Sequence, residues 1–294
     1  MDAGDLRVFE TVARLGGMSR AAAELNTVQS NVTARVRLLE EELGTPLFHR
    51  HSRGVALTAA GQRLLPYAVR IRQLLGEAGR AARDDGTPKG RLTVGSLETT
   101  AALRLSPVLS AYAAAWPEVD LVLTTGTSRE LIEAVLERDL EGAFVCGPVN
   151  HPELAEEAVF REELALVASP SAATLDDCLR KAELKIVVLR AGCSYRQRLE
   201  DILARRGVVG VRRLEFGTLD AILACVAAGL GVTLLPRIVV EEARRSGRVV
   251  VHGLPADEAS VETMFVRRRD ALVSSALAAF LQCARPAPVS AAAE

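Results

Sequence analysis

The run Gln29-Ser30-Asn31-Val32-Thr33-Ala34-Arg35-Val36-Arg37-Leu38-Leu39 decides how the amino-terminal part of this chain is read. Val32, Val36, Leu39 and Leu43 recur at helical spacing, which predicts one buried face. The opposite face offers Gln29, Ser30, Asn31, Thr33, Arg35 and Arg37, side chains short or forked enough to reach base edges and phosphates. Two shorter helical patterns come first. Leu6, Phe9, Val12 and Ala13 mark the buried face of one, which Gly16-Gly17 ends. Ser19 is the expected cap of the second, which buries Ala22 and Leu25. Asn26-Thr27 makes a turn, with Thr27 expected to cap the third helix, and Gly44 stops that helix. Residues 47–57 then read as two short strands around a Ser-Arg-Gly turn, a wing. Residues 1–58 thus predict a mostly α winged helix-turn-helix unit with its third helix placed to enter a DNA groove.

The whole chain permits this without requiring it. Its 294 residues predict two or three structural units at ~150 residues per domain. Hydrophobic residues make up 49% and aromatics 4%, so Leu, Val and Ala must fill the cores. The formal net charge is −1. Residues 1–88 hold 12 Arg against 10 Asp and Glu, so the mild positive excess is local to the unit expected to meet DNA. Five cysteines without metal-ligand spacing argue for reduced thiols rather than a disulfide scaffold. Asp2 and Asp5 stand where the basic region of a signal peptide would be, and the apolar run 221–235 is too short to span a bilayer. A soluble, cytoplasmic protein with no membrane partner is expected.

Thr58 starts a long helix in which Gly61, Leu64, Ala68, Ile71, Leu75, Ala78 and Ala82 step by three and four. That heptad seam asks for a partner helix, so residues 59–88 predict a linker and dimerisation helix, bent near Pro66. From residue 89 to 294 strands and helices alternate. The strand candidates are 91–95, 119–124, 142–146, 164–168, 185–189, 212–216, 232–235 and 263–267; helices are expected over 101–115, 129–137, 195–206 and 219–228. This alternation predicts an α/β domain of parallel sheets with helices on both faces, binding ligands beyond the carboxyl ends of its strands.

These residues together resemble the LysR-type transcriptional regulators over nearly the whole chain. The resemblance rests on Leu6-x-x-Phe9, Ser19-x-Ala21-Ala22-x-x-Leu25, Gln29-Ser30-x-Val32-Thr33, Leu39-Glu40-x-x-Leu43-Gly44-x-x-Leu47-Phe48-x-Arg50, Leu57-Thr58-x-Ala60-Gly61, and Gly229-Leu230-Gly231-Val232-Thr233-Leu234-Leu235-Pro236. Asn31 departs from it, standing where a small apolar residue is more usual, and Thr33 stands where Ser is frequent. The resemblance implies a winged helix, a linker helix and an effector domain of two lobes, like that of periplasmic binding proteins. Lobe I would span about 91–162 plus 265–294, and lobe II about 163–264. It also implies a dimer of dimers that binds promoter DNA, changes its bend when a small molecule binds, and can contact RNA polymerase.

The expected DNA-binding residues are Ser19, Gln29, Ser30, Asn31, Thr33, Arg35, Arg37, Arg50 and Arg53. Arg35 can read guanine and Asn31 adenine, each bidentate and worth about 1–3 kcal/mol of discrimination, or either can meet phosphate and set register only. Arg50 and Arg53 in the wing suit phosphate or an adjacent minor groove. His49 and His51 lack further ligands and read as wing surface. The expected effector-binding residues are Ser96, Thr99 and Thr100 after the first strand of the second domain, then Gly126, Thr127 and Ser128 after its second. Cys193, Ser194, Tyr195 and Arg196 follow the strand 185–189, and Thr218 lies further on. Hydroxyls and amides at helix starts make anion sites, though helix capping alone also explains Thr127 and Ser128. Arg196 can clamp a ligand carboxylate or lie on the surface beside Arg198. Cys193 can line the cleft or act as a redox thiol.

No Ser/His/Asp order, phosphate loop or metal motif is present, so no catalytic residue, cofactor or metal is expected. The leading expectation is a DNA-binding regulator modulated by a small organic anion. The alternatives are a thiol-responsive regulator using Cys193, a small-molecule-binding protein without regulatory DNA binding, and an α/β enzyme.

Overall fold

The computed structural model describes residues 1–51, 54–172, 174, 184–189, 194–208 and 210–285, in two compact units, Met1–Asp85 and Gly86–Glu294. The first unit contains α1 (Ala3–Leu15), α2 (Met18–Glu24), α3 (Gln29–Leu43), β1 (Phe48–His51), β2 (Gly54–Leu57) and α4 (Ala59–Arg83). Asp2 and Asp5 form a capping box at the start of α1, and Gly16 and Gly44 close α1 and α3 in the left-handed conformation. Phe9, Val12, Ala21, Val32, Val36, Leu39, Leu47 and Phe48 fill one core between the three helices and the wing. Leu43, expected on that face, is exposed.

Two expected caps are displaced, one by two residues and one by a single residue. Gly17 precedes α2, so Ser19 lies inside the helix and its hydroxyl bonds the Gln29 side chain at 3.0 Å. Asn26 takes a φ of 52°, the chain enters α3 through Val28, and Thr27 Oγ1 accepts a hydrogen bond from Asn31 Nδ2 at 3.0 Å.

Two polar side chains and one close backbone approach join the wing to the helices. Glu40 Oε1 accepts from the backbone N–H groups of Leu47 and Phe48, at 2.7 and 3.1 Å. Thr58 accepts from Gly61 N as the cap of α4 and donates to Pro46 O at 2.8 Å. At Gly61 the backbone of α4 lies against that of Leu47; a Cβ there would stand 2.3 Å from Leu47 O. The α4 helix runs unbroken through Pro66. Its expected seam divides. Ala68 is buried, and Leu64 and Ile71 pack on the domain core, whereas Leu75, Ala78 and Ala82 remain exposed. Helix periodicity cannot tell a face turned to its own domain from one turned to a partner.

The second unit begins with β3 (Gly90–Ser96), α5 (Glu98–Thr100), a π turn (Ala101–Leu105) and α6 (Ser106–Ala115), then β4 (Val119–Thr125), α7 (Ser128–Leu136), β5 (Gly142–Cys146) and β6 (Leu154–Ala168). It continues with β7 (Lys185–Leu189), α8 (Ser194–Arg205), β8 (Arg212–Phe216), α9 (Leu219–Ala227), β9 (Thr233–Pro236) and α10 (Arg237–Arg245). The last elements are β10 (Val250–His252), α11 (Ala256–Ala259), β11 (Ser260–Arg268) and α12 (Ser275–Ala284). The strand order is β10-β6-β11-β5-β3-β4, with β9 also on β6, and β7 pairs β8.

The sheets are mixed, not purely parallel as the alternation of elements predicts. β3, β4 and β5 run parallel, as do β7 and β8, but β11 is antiparallel to both β5 and β6, and β6 is antiparallel to β9 and β10. The reason is that β6 and β11 each run on from one lobe into the other. In lobe I, Leu92, Val94, Phe144, Phe265 and Phe280 pack on one face of the sheet, and Leu131, Val135, Ala143, Val145 and Val266 on the other. In lobe II, Leu166, Ile186, Leu199 and Leu234 form one core and Val167, Val187, Ile222 and Leu235 a second. Among the described residues no helix is long and apolar enough to cross a membrane.

Glu258 in α11 is gripped by Arg206 through two hydrogen bonds, 2.6 and 3.1 Å, with Arg205 at 3.3 Å. The Arg206 hydrogen bonds hold its carboxyl below the ordinary value of 4.5. A depressed carboxyl contributes stability above its unfolded pKa and loses it as pH falls through the folded one. Glu258→Gln should therefore cost about 2 kcal/mol at pH 7, and the gap from wild type should close below pH 4.5. Urea unfolding at several pH values measures both.

Candidate functional site

In the first unit, Ser19, Gln29, Ser30, Asn31, Arg37 and Arg50 are exposed and Thr33 is half-buried. Three of them are tied: Ser19 donates to Gln29 across α2 and α3, and Asn31 donates to Thr27. Arg37 pairs with Glu41 at 2.9 Å, one turn along the same helix, and Arg50 reaches Glu40 at 3.4 Å. His49 and His51 are exposed on β1, with ring centroids 6.3 Å apart. Arg53 lies outside the described residues.

Arg35 is not the free groove residue that the sequence suggests. Its guanidinium bonds Asp5 at 2.8 and 2.9 Å and Asp2 at 3.3 Å. It lies across the first turn of α1, where a Cβ on Gly4 would come within 2.6 Å of it. Asp2 and Asp5 lie far from Arg35 in sequence, and helical periodicity alone gives no sign of the pairing.

In the second unit a cleft of about 840 Å³ opens between the lobes. Leu97, Glu98, Thr99, Thr124, Thr125, Gly126, Thr127, Glu130, Leu131, Ala134, Asp139 and Leu140 line it from lobe I. Leu189, Tyr195, Glu215 and Gly217 line it from lobe II. Of the expected effector residues, the structure thus brings Thr99, Gly126, Thr127 and Tyr195 to the wall. Thr218 follows Gly217 as the side-chain cap of α9, and Ser194 opens α8 beside Tyr195.

Others are placed elsewhere. Ser96 is fully buried and donates to Leu97 O at 3.0 Å. Thr100 is buried as well, and its hydroxyl has no hydrogen-bond partner. Ser128 Oγ accepts from Cys146 N at 3.2 Å. Each points back into lobe packing, because alternate residues after a strand cannot all face one opening. Arg196 is held between Glu215, at 2.7 Å, and Glu200, at 3.3 Å, so it is already matched by carboxylates of its own lobe. Cys193 lies outside the described residues.

The sequence reading missed the carboxylates. Glu98, Glu130, Asp139 and Glu215 line the cleft, and no Lys or Arg does among the described lining residues. Glu130 closes the capping box of α7, accepting from Thr127 N and Oγ1 at 2.8 and 2.9 Å. The signal was present in Thr127-Ser128-Arg129-Glu130, the spacing of a capping box. Behind the wall, Glu162 on β6 is buried and accepts from Arg104 Nε at 3.2 Å and Tyr195 OH at 3.4 Å. Among the described residues no group of His, Cys, Asp and Glu could hold a metal ion.

Residues 3–62 match the family described as bacterial regulatory helix-turn-helix protein, lysR family, and residues 85–288 match the LysR substrate binding domain. The HTH-type transcriptional regulator GltR of Bacillus subtilis is 44% identical over 94% of this chain and 93% of its own length. The HTH-type transcriptional regulator YofA of the same organism is 42% identical over 96% of this chain and 97% of its own. Full-length CbnR in complex with its target DNA superposes with a TM-score of 0.65 at 26% identity, covering 97% of this chain and 99% of that one. Full-length OxyR from Pseudomonas aeruginosa shares the fold, with a TM-score of 0.69 at 19% identity. With a helix-turn-helix unit, a linker helix and a two-lobed α/β domain in this order, the chain belongs to the LysR family of DNA-binding transcriptional regulators.

Proposed function

We propose that this regulator reads its operator with the amino-terminal end of α3 and that a small zwitterion in the inter-lobe cleft modulates the binding. Gln29, Ser30 and Asn31 stand exposed at that end, which is where a helix-turn-helix contacts base edges. Ser19, Thr33, Arg37 and Arg50 serve phosphates. Arg53 joins them by its place in the wing. Arg35 braces α3 against α1 and acts on DNA through that placement.

The observation that carries the effector reading is the charge of the cleft wall. Thr127, the cap of α7, and Gly217, just before the cap of α9, line that wall, and helix amino termini favour a carboxylate. The anionic effector expected from sequence keeps this support but loses Arg196 as its clamp. Glu98 on the wall, with Arg196 already paired with Glu215 and Glu200, instead favours a positive group on the same molecule. A ligand with a carboxylate and an ammonium a few bonds apart satisfies both. Its binding biases two arrangements of the lobes to the extent that it prefers one.

We also propose that two copies pair through the outer face of α4. Leu75, 55% exposed, and the exposed Leu74 and Tyr67 form an apolar strip there. A dimer of dimers follows only if a second interface exists.

Leu75→Asp should leave the first unit folded, within about 0.5 kcal/mol, and lower the sedimenting mass. Ile71→Asp should destabilise that unit by about 2–4 kcal/mol, since its side chain packs on the domain core. If the Leu75 variant keeps the wild-type mass, the pairing face lies elsewhere.

Arg35→Ala should cost about 1 kcal/mol or less, given the partial exposure of its ion pairs. Its footprint should still cover the wild-type operator bases. A double-mutant cycle with Asp5→Ala measures the coupling, and a changed base preference in the folded variant would restore Arg35 as a direct reader.

For the effector, thermal shift on the full chain with α-amino acids, the same acids lacking the amine, and the matching amines provides the test. A ligand near 100 times its dissociation constant adds about 2.7 kcal/mol. Shifts confined to the amino acids are expected. Equal shifts with the plain carboxylic acids would overturn the zwitterion in favour of a simple anion.

A further inference from the structure

Val28 occupies the cap position of α3, with extended backbone at φ −93° and ψ 149° and no side-chain cap bond. Helix starts favour Ser, Thr, Asp or Asn there, because an oxygen satisfies an otherwise unpaired N–H; valine is among the poorest choices. It is also 65% exposed, more than any other aliphatic residue among the described large hydrophobics. An apolar side chain that neither caps the helix nor packs on the core breaks two local rules at once. Such breaches concentrate where a residue serves binding rather than folding.

Its neighbours say what it meets. Gln29, Ser30 and Asn31 follow it on the exposed end of the recognition helix. Ser19 bonds Gln29, and Thr27 bonds Asn31. These ties steady the backbone and polar groups on either side of Val28. Leu38, similarly exposed on α3, lies ten residues further on, ~15 Å along the axis at 1.5 Å per residue, away from the end that enters the groove. In the major groove the one apolar feature of a base edge is the 5-methyl of thymine, which small apolar side chains contact.

Resting on the proposed docking of the α3 amino terminus in the groove, we propose that Val28 is a specificity residue that packs on the 5-methyl group of a thymine in the operator. The contact adds an apolar element to the polar readout by Gln29, Ser30 and Asn31. It also accounts for valine in place of a capping residue: a serine there would steady the free helix and lose the methyl contact.

The test uses full-length protein and a duplex that wild type itself selects from random-sequence DNA. Each thymine is replaced in turn by uracil, which lacks only the methyl. Wild type should lose about fourfold in affinity at one or more positions, the burial of one methyl-sized group. Val28→Ser should bind thymine and uracil equally at those positions, and Val28→Ala should discriminate less than wild type. Val28→Ser should melt no lower than wild type, because it gains a cap, so its lost discrimination cannot come from unfolding. The proposal falls if wild type is indifferent to every uracil. It also falls if both variants keep the wild-type sensitivity at every thymine.

Discussion

Nine residues of β11 lie antiparallel along β6, and this one pairing carries the whole second unit. The near half of β6 belongs to the sheet of β3, β4 and β5 through β11, and its far half receives β9 and β10. The chain therefore passes from lobe to lobe along two hydrogen-bonded strands rather than through loose linkers. A register shift between Thr263 and Met264 interrupts the ladder at one point. Close to it on β6 stands Glu162, a buried carboxylate joined to Arg104 of the π turn and to Tyr195 of α8. A buried carboxylate is tolerated only when paired and hydrogen-bonded. Tyr195 is at the same time part of the cleft wall, so the arrangement ties cleft, strand crossing and π turn into one polar cluster.

The first unit uses the opposite economy of means: short side chains bonded to backbone. Glu40 holds the two amides that begin the wing, Thr58 both caps α4 and anchors Pro46, and Gly61 lets α4 touch the Leu47 carbonyl. These positions supply much of the pattern by which the chain resembles its family. Each is needed for a specific backbone approach, which is why the pattern mixes glycine, threonine and glutamate with the apolar core residues.

How far this was legible in the sequence depends on how local the cause is. β5, β7 and β8 match their expected bounds, since each is a short run with turn signals at both ends. The first half of β6 was not expected, because Glu156, Glu157 and Arg161 break its apolar alternation. Those charges are affordable where the strand pairs only with β11; Arg161 bonds Glu262 across that pair, and Glu157 bonds Arg285. The cleft wall was legible at Gly126-Thr127, where capping chemistry is local. It was not legible at Arg196 and Arg35, whose partners come from other elements. A cation's role depends on which carboxylate the fold sets beside it, and that is decided by tertiary contacts.

The pairing of arginines in the first unit has a further consequence for DNA. Arg14 is paired with Glu24, Arg35 with Asp5 and Asp2, Arg37 with Glu41, Arg50 with Glu40 and Arg72 with Glu10. An arginine that turns to a phosphate from such a pair gives up a carboxylate that was already screening it. Fewer counterions then leave the duplex per contact than for an unpaired cation, and the freed carboxylate faces the polyanion. Such pairing weakens the purely electrostatic share of DNA adhesion, which leaves more of the affinity to base-edge complementarity. Carboxylates placed beside the arginines thus act as a filter, leaving discrimination to the sites where the helix fits.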